Sequence, residues 1–194
     1  MKDILVKYMK RFMNLSDKEL EIMTADVPVK TFPKGTVLLH QGEIPSKCYF
    51  VLTGCVRQYA VDENGKENTS YFYTEEHSVT IFTQHSTDPT SRYSLSCLEE
   101  CILVVGDLLI EQEMYDTHPD LATMTRRMME GEVGQMQADF ADFISSTPEQ
   151  RFQALQIKRP ELIDRVPQHQ LASYLGMTPE SLSRIKKRVE RRRD

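Results

Sequence analysis

No uninterrupted apolar run in the chain approaches the ~20 residues that a membrane-spanning helix requires, so no membrane partner is expected. The first stretch, MKDILVKYMKRFMNLSDKEL, lacks a continuous apolar segment followed by a small-residue cleavage site. Charged and apolar residues alternate there at helical spacing, which excludes a secretory signal and predicts a cytoplasmic protein. Cysteine is scarce: Cys48, Cys55, Cys97 and Cys101 are spaced C-x6-C and C-x3-C, with no C-x2-C knuckle and no ferredoxin-like run. Neither a metal nor an iron–sulfur cluster is therefore expected. The four thiols read as small buried hydrophobes in strand-like segments, with redox sensing as the alternative. His40, His77 and His85 form no H-x-H pair and no carboxylate cluster, which argues against a cupin-like metalloenzyme. A Ser-His-Asp arrangement, a phosphate loop and a paired-carboxylate motif are also missing, so no enzyme is expected.

What is present is an ordinary globular composition with an uneven charge. The 194 residues are 40% hydrophobic and 27% charged, enough for one large domain or two small ones. Residues 1–150 hold 13 Lys or Arg against 24 Asp or Glu, a net of −11. Residues 151–194 hold 11 against 5, a net of +6. An acidic body with a basic C-terminal module is predicted.

Residues 1–26 read as helix, with Ser16 and Glu19 at capping-box spacing before Leu20, Ile22 and Met23. From Val27 to Ile110 the texture changes to short runs such as TVLLH, CYFVL, VRQYAV, TSYFY and CILVV, separated by turn residues. Regular short strands with Gly-containing turns predict a β-barrel or jelly roll, and Asn64-Gly65 a hairpin. Around THPDL helix texture returns over roughly residues 117–145 with Pro119 in the first turn, about 40 Å of helix. Leu121, Met124, Met128, Met136, Phe140, Phe143 and Ile144 recur on it at mostly three- and four-residue spacing. Such a stripe needs a partner, either its own β-domain or a second copy of the chain. Gly131 and Gly134 interrupt it and permit close approach or a kink. Thr147-Pro148 ends the pattern, and PEQRFQALQIKRPEL begins another helix with Phe152 and Leu155 apolar.

The segment VPQHQLASYLGMTPESLSRIKKRVE carries the most specific pattern. Gln168 to Leu175 forms a short helix that turns Leu171, Ala172 and Leu175 inward, and Gly176 supplies its left-handed cap. Thr178 caps the next helix and Pro179 occupies its first position. Leu182, Ile185 and Val189 then form the buried stripe, leaving Glu180, Ser181, Ser183, Arg184 and Lys187 largely outward. Helix, tight turn and helix of this size make a helix-turn-helix whose second helix can enter a major groove. A Glu accepts from cytosine N4–H and an Arg clasps guanine O6 and N7, whereas Lys186, Lys187, Arg188 and the run Arg191–Arg193 suit phosphates. The competing reading is a plain Glu180–Arg184 helix pair.

Across nearly its whole length the sequence resembles the CRP/FNR family of bacterial transcription regulators. FPKGTVLLHQGEIPSKCYFVLTGCVRQY resembles the opening strands of a cyclic-nucleotide-binding-type β-roll, with Gly35, His40 to Glu43, Tyr49 to Val51 and Gly54 at the expected spacing. DENGKE resembles the next hairpin, and ASYLGMTPESLSRIKK resembles the family's DNA-binding motif. The resemblance implies an α+β chain: an N-terminal double-stranded β-helix (jelly roll) over residues 1–115, a dimerisation helix over 116–146, and a helix-turn-helix domain of winged-helix-like type over 147–194. It implies a homodimer on double-stranded DNA, acting with RNA polymerase and a small-molecule effector. The family's E-x-x-S-R pattern falls on Glu180, Ser183 and Arg184, implying palindromic sites with TGA in each half. Gln170, Thr178, Ser181, Lys186, Lys187 and Arg188 complete the expected DNA contacts, and Leu121, Met124, Met128, Met136 and Phe140 the dimerisation stripe.

Two departures qualify that picture. Where cyclic-nucleotide-binding members carry a Gly-Glu pair, this chain reads YTEEHSVTIF, with Glu75 and Glu76 but no preceding Gly. Where they carry Arg-Ser, it reads PTSRYSLS: Thr90 stands in the Arg position, Ser91 in the Ser position, and Arg92 one residue late. These six residues, Glu75, Glu76, Thr90, Ser91, Arg92 and Tyr93, are the expected effector pocket, and cAMP bound in the usual way is not expected there, because a buried cyclic phosphate needs a cationic partner. The FNR-type cluster cysteines are absent, and the sequence resembles a compact branch without a C-terminal wing hairpin. The alternative to a DNA-binding regulator is a small-molecule sensor that acts through protein partners.

Overall fold

The computed structural model describes residues 2–25, 27–83, 86–108, 115–117 and 119–191, apart from the side chain of Glu190. His85, Arg192 and Arg193, singled out above, and the His118 of THPDL lie outside the described residues. Contacts divide the chain into two compact units, residues 1–58 with 72–135, and residues 59–71 with 136–194. Among the described residues no helix is long and apolar enough to cross a membrane.

The first unit begins with two helices, α1 (Lys2–Met9) and α2 (Asp17–Thr24), where one had been predicted over residues 1–26. The physical reason is the cap itself. Ser16 takes an extended conformation, its hydroxyl accepts from the Glu19 amide, and the Glu19 carboxylate accepts from the Ser16 amide at 2.8 Å. A reciprocal cap of this kind starts a helix and cannot sit inside one.

Among the described residues eight strands follow: β1 (Val29–Phe32), β2 (Val37–Leu39), β3 (Lys47–Thr53), β4 (Val56–Val61), β5 (Glu67–Tyr73), β6 (Ser78–Val79), β7 (Ser94–Cys97) and β8 (Cys101–Asp107). They form two four-stranded sheets in the orders β1-β8-β3-β6 and β2-β7-β4-β5, the arrangement of a jelly roll. The five expected runs lie in β2, β3, β4, β5 and β8. The β4–β5 turn is built as Asn64-Gly65 suggested: Asp62 Oδ1 accepts from the amides of Asn64 and Lys66, each at 3.0 Å, and Gly65 is left-handed.

Strand alternation generates two cores. Val51 and Leu103 face the roll interior with Leu39, Tyr49, Val56, Val79, Leu95 and Cys97. Their neighbours Leu52, Phe50, Ile102 and Val104 face outward, against Leu5, Met9, Met13 and Leu20 of the N-terminal region. Three thiols, Cys55, Cys97 and Cys101, are buried and Cys48 is half-buried. Cys55 differs from expectation in lying between β3 and β4 rather than in a strand.

The long helix α3 (Pro119–Ser145) runs unbroken through Gly131 and Gly134. Its apolar stripe divides by burial. Leu121 and Met124, expected to serve dimerisation, pack instead into the outer core of the first unit, where Met124 is only 8% exposed. Met128 is half-buried, whereas Met136 and Phe140 are 61% and 66% exposed. Among the described residues four helices complete the second unit: α4 (Pro148–Lys158), α5 (Glu161–Arg165), α6 (Gln168–Tyr174) and α7 (Pro179–Glu190).

Two glycines test the rigidity of the first unit. Both Gly54 and Gly65 are left-handed, but a Cβ on Gly54 would stand 2.6 Å from Cys101 Sγ and 2.8 Å from the Glu100 carbonyl, whereas one on Gly65 meets nothing. We expect Gly65→Ala to cost about 1–2 kcal/mol for backbone handedness alone. Gly54→Ala adds overpacking against backbone and should cost about 3 kcal/mol or more. Urea unfolding of the two variants checks this, and equal costs would show that the β3–β8 contact gives way.

Candidate nucleic-acid interface

The C-terminal unit is assembled from helix ends. Thr147 caps α4, its hydroxyl accepting from the Gln150 amide while Gln150 Oε1 accepts from the Thr147 amide at 2.8 Å. Helix α6 ends in a Schellman arrangement: the Met177 amide donates to the Ala172 carbonyl and the Gly176 amide to that of Ser173, both at 3.0 Å. Gly176, at φ 66°, provides the left-handed residue this turn requires. Two residues later Thr178 is extended, its hydroxyl accepts from the Ser181 amide at 3.2 Å, and Pro179 opens α7. Leu171, Ala172 and Leu175 of the first helix and its turn, and Leu182, Ile185 and Val189 of the second, are buried with Phe152, Leu155, Leu162 and Val166. A buried Ala172 lets α6 and α7 cross closely.

This packing leaves Glu180, Arg184, Lys187, Arg188 and Arg191 exposed along α7, with Thr178 at its start; Ser181, Ser183 and Lys186 are half-buried. Glu180 and Arg184 do not simply form the competing helix pair. Arg184 donates to Ser181 Oγ at 3.4 Å. The Glu180 carboxyl is held below its usual range by its own backbone amide, then by the Thr178 hydroxyl and the charge of Arg184. It is therefore an ionised acceptor at neutral pH. Arg188 is engaged elsewhere, with Glu149 of α4 at 2.9 Å. Gln170 is half-buried and its Oε1 is a buried acceptor without a hydrogen-bond partner.

Sequence reasoning missed three long-range features of this unit. Arg151 of α4 donates through Nε to the Phe143 carbonyl and through Nη1 to the Leu175 carbonyl, both at 3.1 Å. Its guanidinium lies over the Phe143 ring, 3.8 Å from the centroid. A Cβ on Gly176 would stand 2.9 Å from both Arg151 Nη1 and Phe143 Cζ, so Gly176 is needed for space as well as handedness. The tip of the β4–β5 hairpin belongs to this unit too: the Thr69 amide donates to Ser173 Oγ at 2.9 Å, and Arg159 lies over the Tyr71 ring. Lys158 pairs with Asp139 and Asp142 of α3, each at 3.0 Å. None of these has a local spacing that could announce it.

In the first unit the expected effector residues are tied to the protein itself. Glu75 Oε1 accepts from the Gly54 amide at 2.9 Å, and Glu76, left-handed at φ 67°, pairs with Arg11. Thr90 donates through its amide and its hydroxyl to Asp88 Oδ1. Ser91 is buried and donates to the Tyr93 carbonyl at 2.7 Å; Tyr93 is half-buried. Arg92 is exposed. Thr90, Ser91, Arg92 and Tyr93 lie in the bend before β7 rather than on a strand. Arg57 of β4, which sequence reasoning did not select, is a buried cation of this unit. Among the described residues no three His, Cys, Asp or Glu side chains converge as a metal site.

Residues 29–118 match the family described as the cyclic nucleotide-binding domain. FixK2 from Bradyrhizobium japonicum is similar in structure, with TM-score 0.72 and 15% identity over 86% of this chain and 85% of that one. The global regulator CLP of Xanthomonas campestris, described as c-di-GMP responsive, aligns with TM-score 0.70 and 17% identity over 90% and 92%. The catabolite activator protein of Thermus thermophilus aligns with TM-score 0.52 and 17% identity over 93% and 86%. No curated protein sequence is significantly similar to the chain. The roll is thus a cyclic nucleotide-binding-type domain. Taken with its long helix and C-terminal helices, the chain has the fold of the CRP/FNR transcription regulators.

The cap that starts α7 can be tested alone. Replacing Thr178 with Ala should cost about 1 kcal/mol, and replacing it with Ser much less, because only the hydroxyl acceptor matters. Thermal unfolding of the two variants measures the difference.

Proposed function

We propose that the chain is a transcription regulator that binds double-stranded DNA as a homodimer, with α7 as the recognition helix. One observation carries this reading: the capped start of α7 presents an ionised Glu180 one turn from an exposed Arg184 on a helix whose opposite face is wholly buried. Glu180 accepts from cytosine and Arg184 donates to guanine, with Ser183 beside them, which suits TGA-containing half-sites. Thr178, Ser181, Lys186, Lys187 and Arg188 face the phosphates, and Gln170 helps to seat α6 against the backbone. The exposed Met136 and Phe140, continued by Val133 and Ile144, form the surface for a second copy. Two recognition helices related by a two-fold axis read a palindrome with half-sites about one helical turn apart.

In this reading the roll receives a small-molecule signal through the pocket of Glu75, Glu76, Thr90, Ser91, Arg92 and Tyr93. The signal is not cAMP held in the usual way, since Glu75 and Glu76 are acidic and Thr90 replaces the cationic partner of a cyclic phosphate. RNA polymerase is the partner through which binding alters transcription, and the chain acts as a regulator rather than an enzyme.

Gel shift against a palindrome with TGA half-sites tests the readout. Glu180→Ala and Arg184→Ala should each weaken specific binding by about 1–3 kcal/mol while leaving non-specific binding nearly unchanged. Wild-type affinity in the double variant would sink the proposed readout. A second variant tests the phosphate contacts. Glu149→Gln frees Arg188 from its pair, so affinity should rise about two- to fivefold at low salt and the salt slope should steepen by about one. A slope equal to that of the wild type would remove Arg188 from the interface.

A further inference from the structure

We infer that Arg151 is a positioning residue that sets the spacing between the two recognition helices, and so determines which half-site separation the dimer accepts. This rests on the reading of a dimer on a palindrome. The carbonyls that Arg151 holds are both at helix C-termini, Phe143 in the last turn of α3 and Leu175 at the C-cap of α6. Such carbonyls lack intrahelical partners and carry the negative end of the helix dipole. One planar cation satisfies both through its edge while its face covers the Phe143 ring. A lysine ammonium is a point donor and cannot hold all three positions.

The same group fills the space beside Gly176. Thr178 starts α7 two residues further on, so this guanidinium links the departure of the recognition helix to the end of α3, whereas the Arg188–Glu149 pair joins α7 to α4. The exposed stripe of Met136, Phe140 and Ile144 lies on that same end of α3. A dimer joined there inherits its reading distance from Arg151. The Lys158 pairs with Asp139 and Asp142 also tie α4 to α3, but they are solvent-exposed and leave the turn before α7 unheld.

The test compares wild type, Arg151→Lys and Phe143→Leu on three duplexes: a TGA-containing palindrome, the same palindrome with one base pair inserted at its centre, and a single half-site. Wild type should prefer the intact palindrome over the inserted one by about 50-fold, and the variants by less than about fivefold, with half-site affinity changed by no more than about threefold. Thermal unfolding establishes that each variant is folded; if Arg151→Lys is not, Phe143→Leu, which keeps the fork and loses the stacking face, carries the comparison. Folded variants that keep the wild-type spacing preference, or that lose affinity for all three duplexes in parallel, overturn the inference. A wild type that binds the half-site as tightly as the palindrome would overturn the dimeric reading itself.

Discussion

Strands β3 and β8 are buried on both faces, and the first unit depends on their doing so. Val51 and Leu52 are adjacent in sequence and both almost wholly excluded from solvent, yet they point into different cores. A register slip of one residue would exchange the two sets of side chains. The roll interior and the helical layer are therefore specified together. Gly54, at the end of β3, lets the chain turn against Cys101 without displacing either strand. The pairing of β3 with β8, from Lys47 opposite Asp107 to Thr53 opposite Ile102, fixes the remaining order of that sheet.

Local signals were legible in the sequence and long-range ones were not. The capping box of Ser16, the Asn64-Gly65 hairpin, the Gly176 turn and the Thr178-Pro179 helix start depend on residues within a few positions of one another, and each could be read from spacing. The division of residues 1–26 into two helices was implicit in the Ser16 cap but masked by apolar periodicity continuing across it. The stripe on α3 was visible as periodicity, which cannot distinguish a face used within the chain from one left for another copy. Leu121 and Met124 are packed within the chain, and Phe140 is exposed. Arg151, Ser173 and Arg159 act on residues that only folding brings near, so nothing in their neighbourhoods announced them.

The charge imbalance that first marked the C-terminal module also changes meaning in three dimensions. Lys158 and Arg188 are paired with carboxylates of their own unit, and Arg151 serves backbone carbonyls. A net charge counted along the chain therefore overstates the cation available to an anionic partner. Among the described residues, the exposed cations left along α7 and at its end are Arg184, Lys187 and Arg191, with Lys186 half-buried. Against any anionic partner a narrow band favours orientation over bulk attraction, since fewer of the partner's charges are neutralised and each contact depends more on geometry.

Gly176 shows how a single position can be closed to mutation twice over. Asn and Asp are the usual substitutes for a left-handed glycine, because their short polar side chains tolerate that conformation. Here they meet the guanidinium of Arg151 and the ring of Phe143, where even one added carbon is too close. Backbone handedness and volume are separate filters, and the residues that pass the first fail the second. Drift at position 176 would have to be preceded by change at Arg151 or Phe143, which makes the order of substitutions, and not only their identity, a property of the fold.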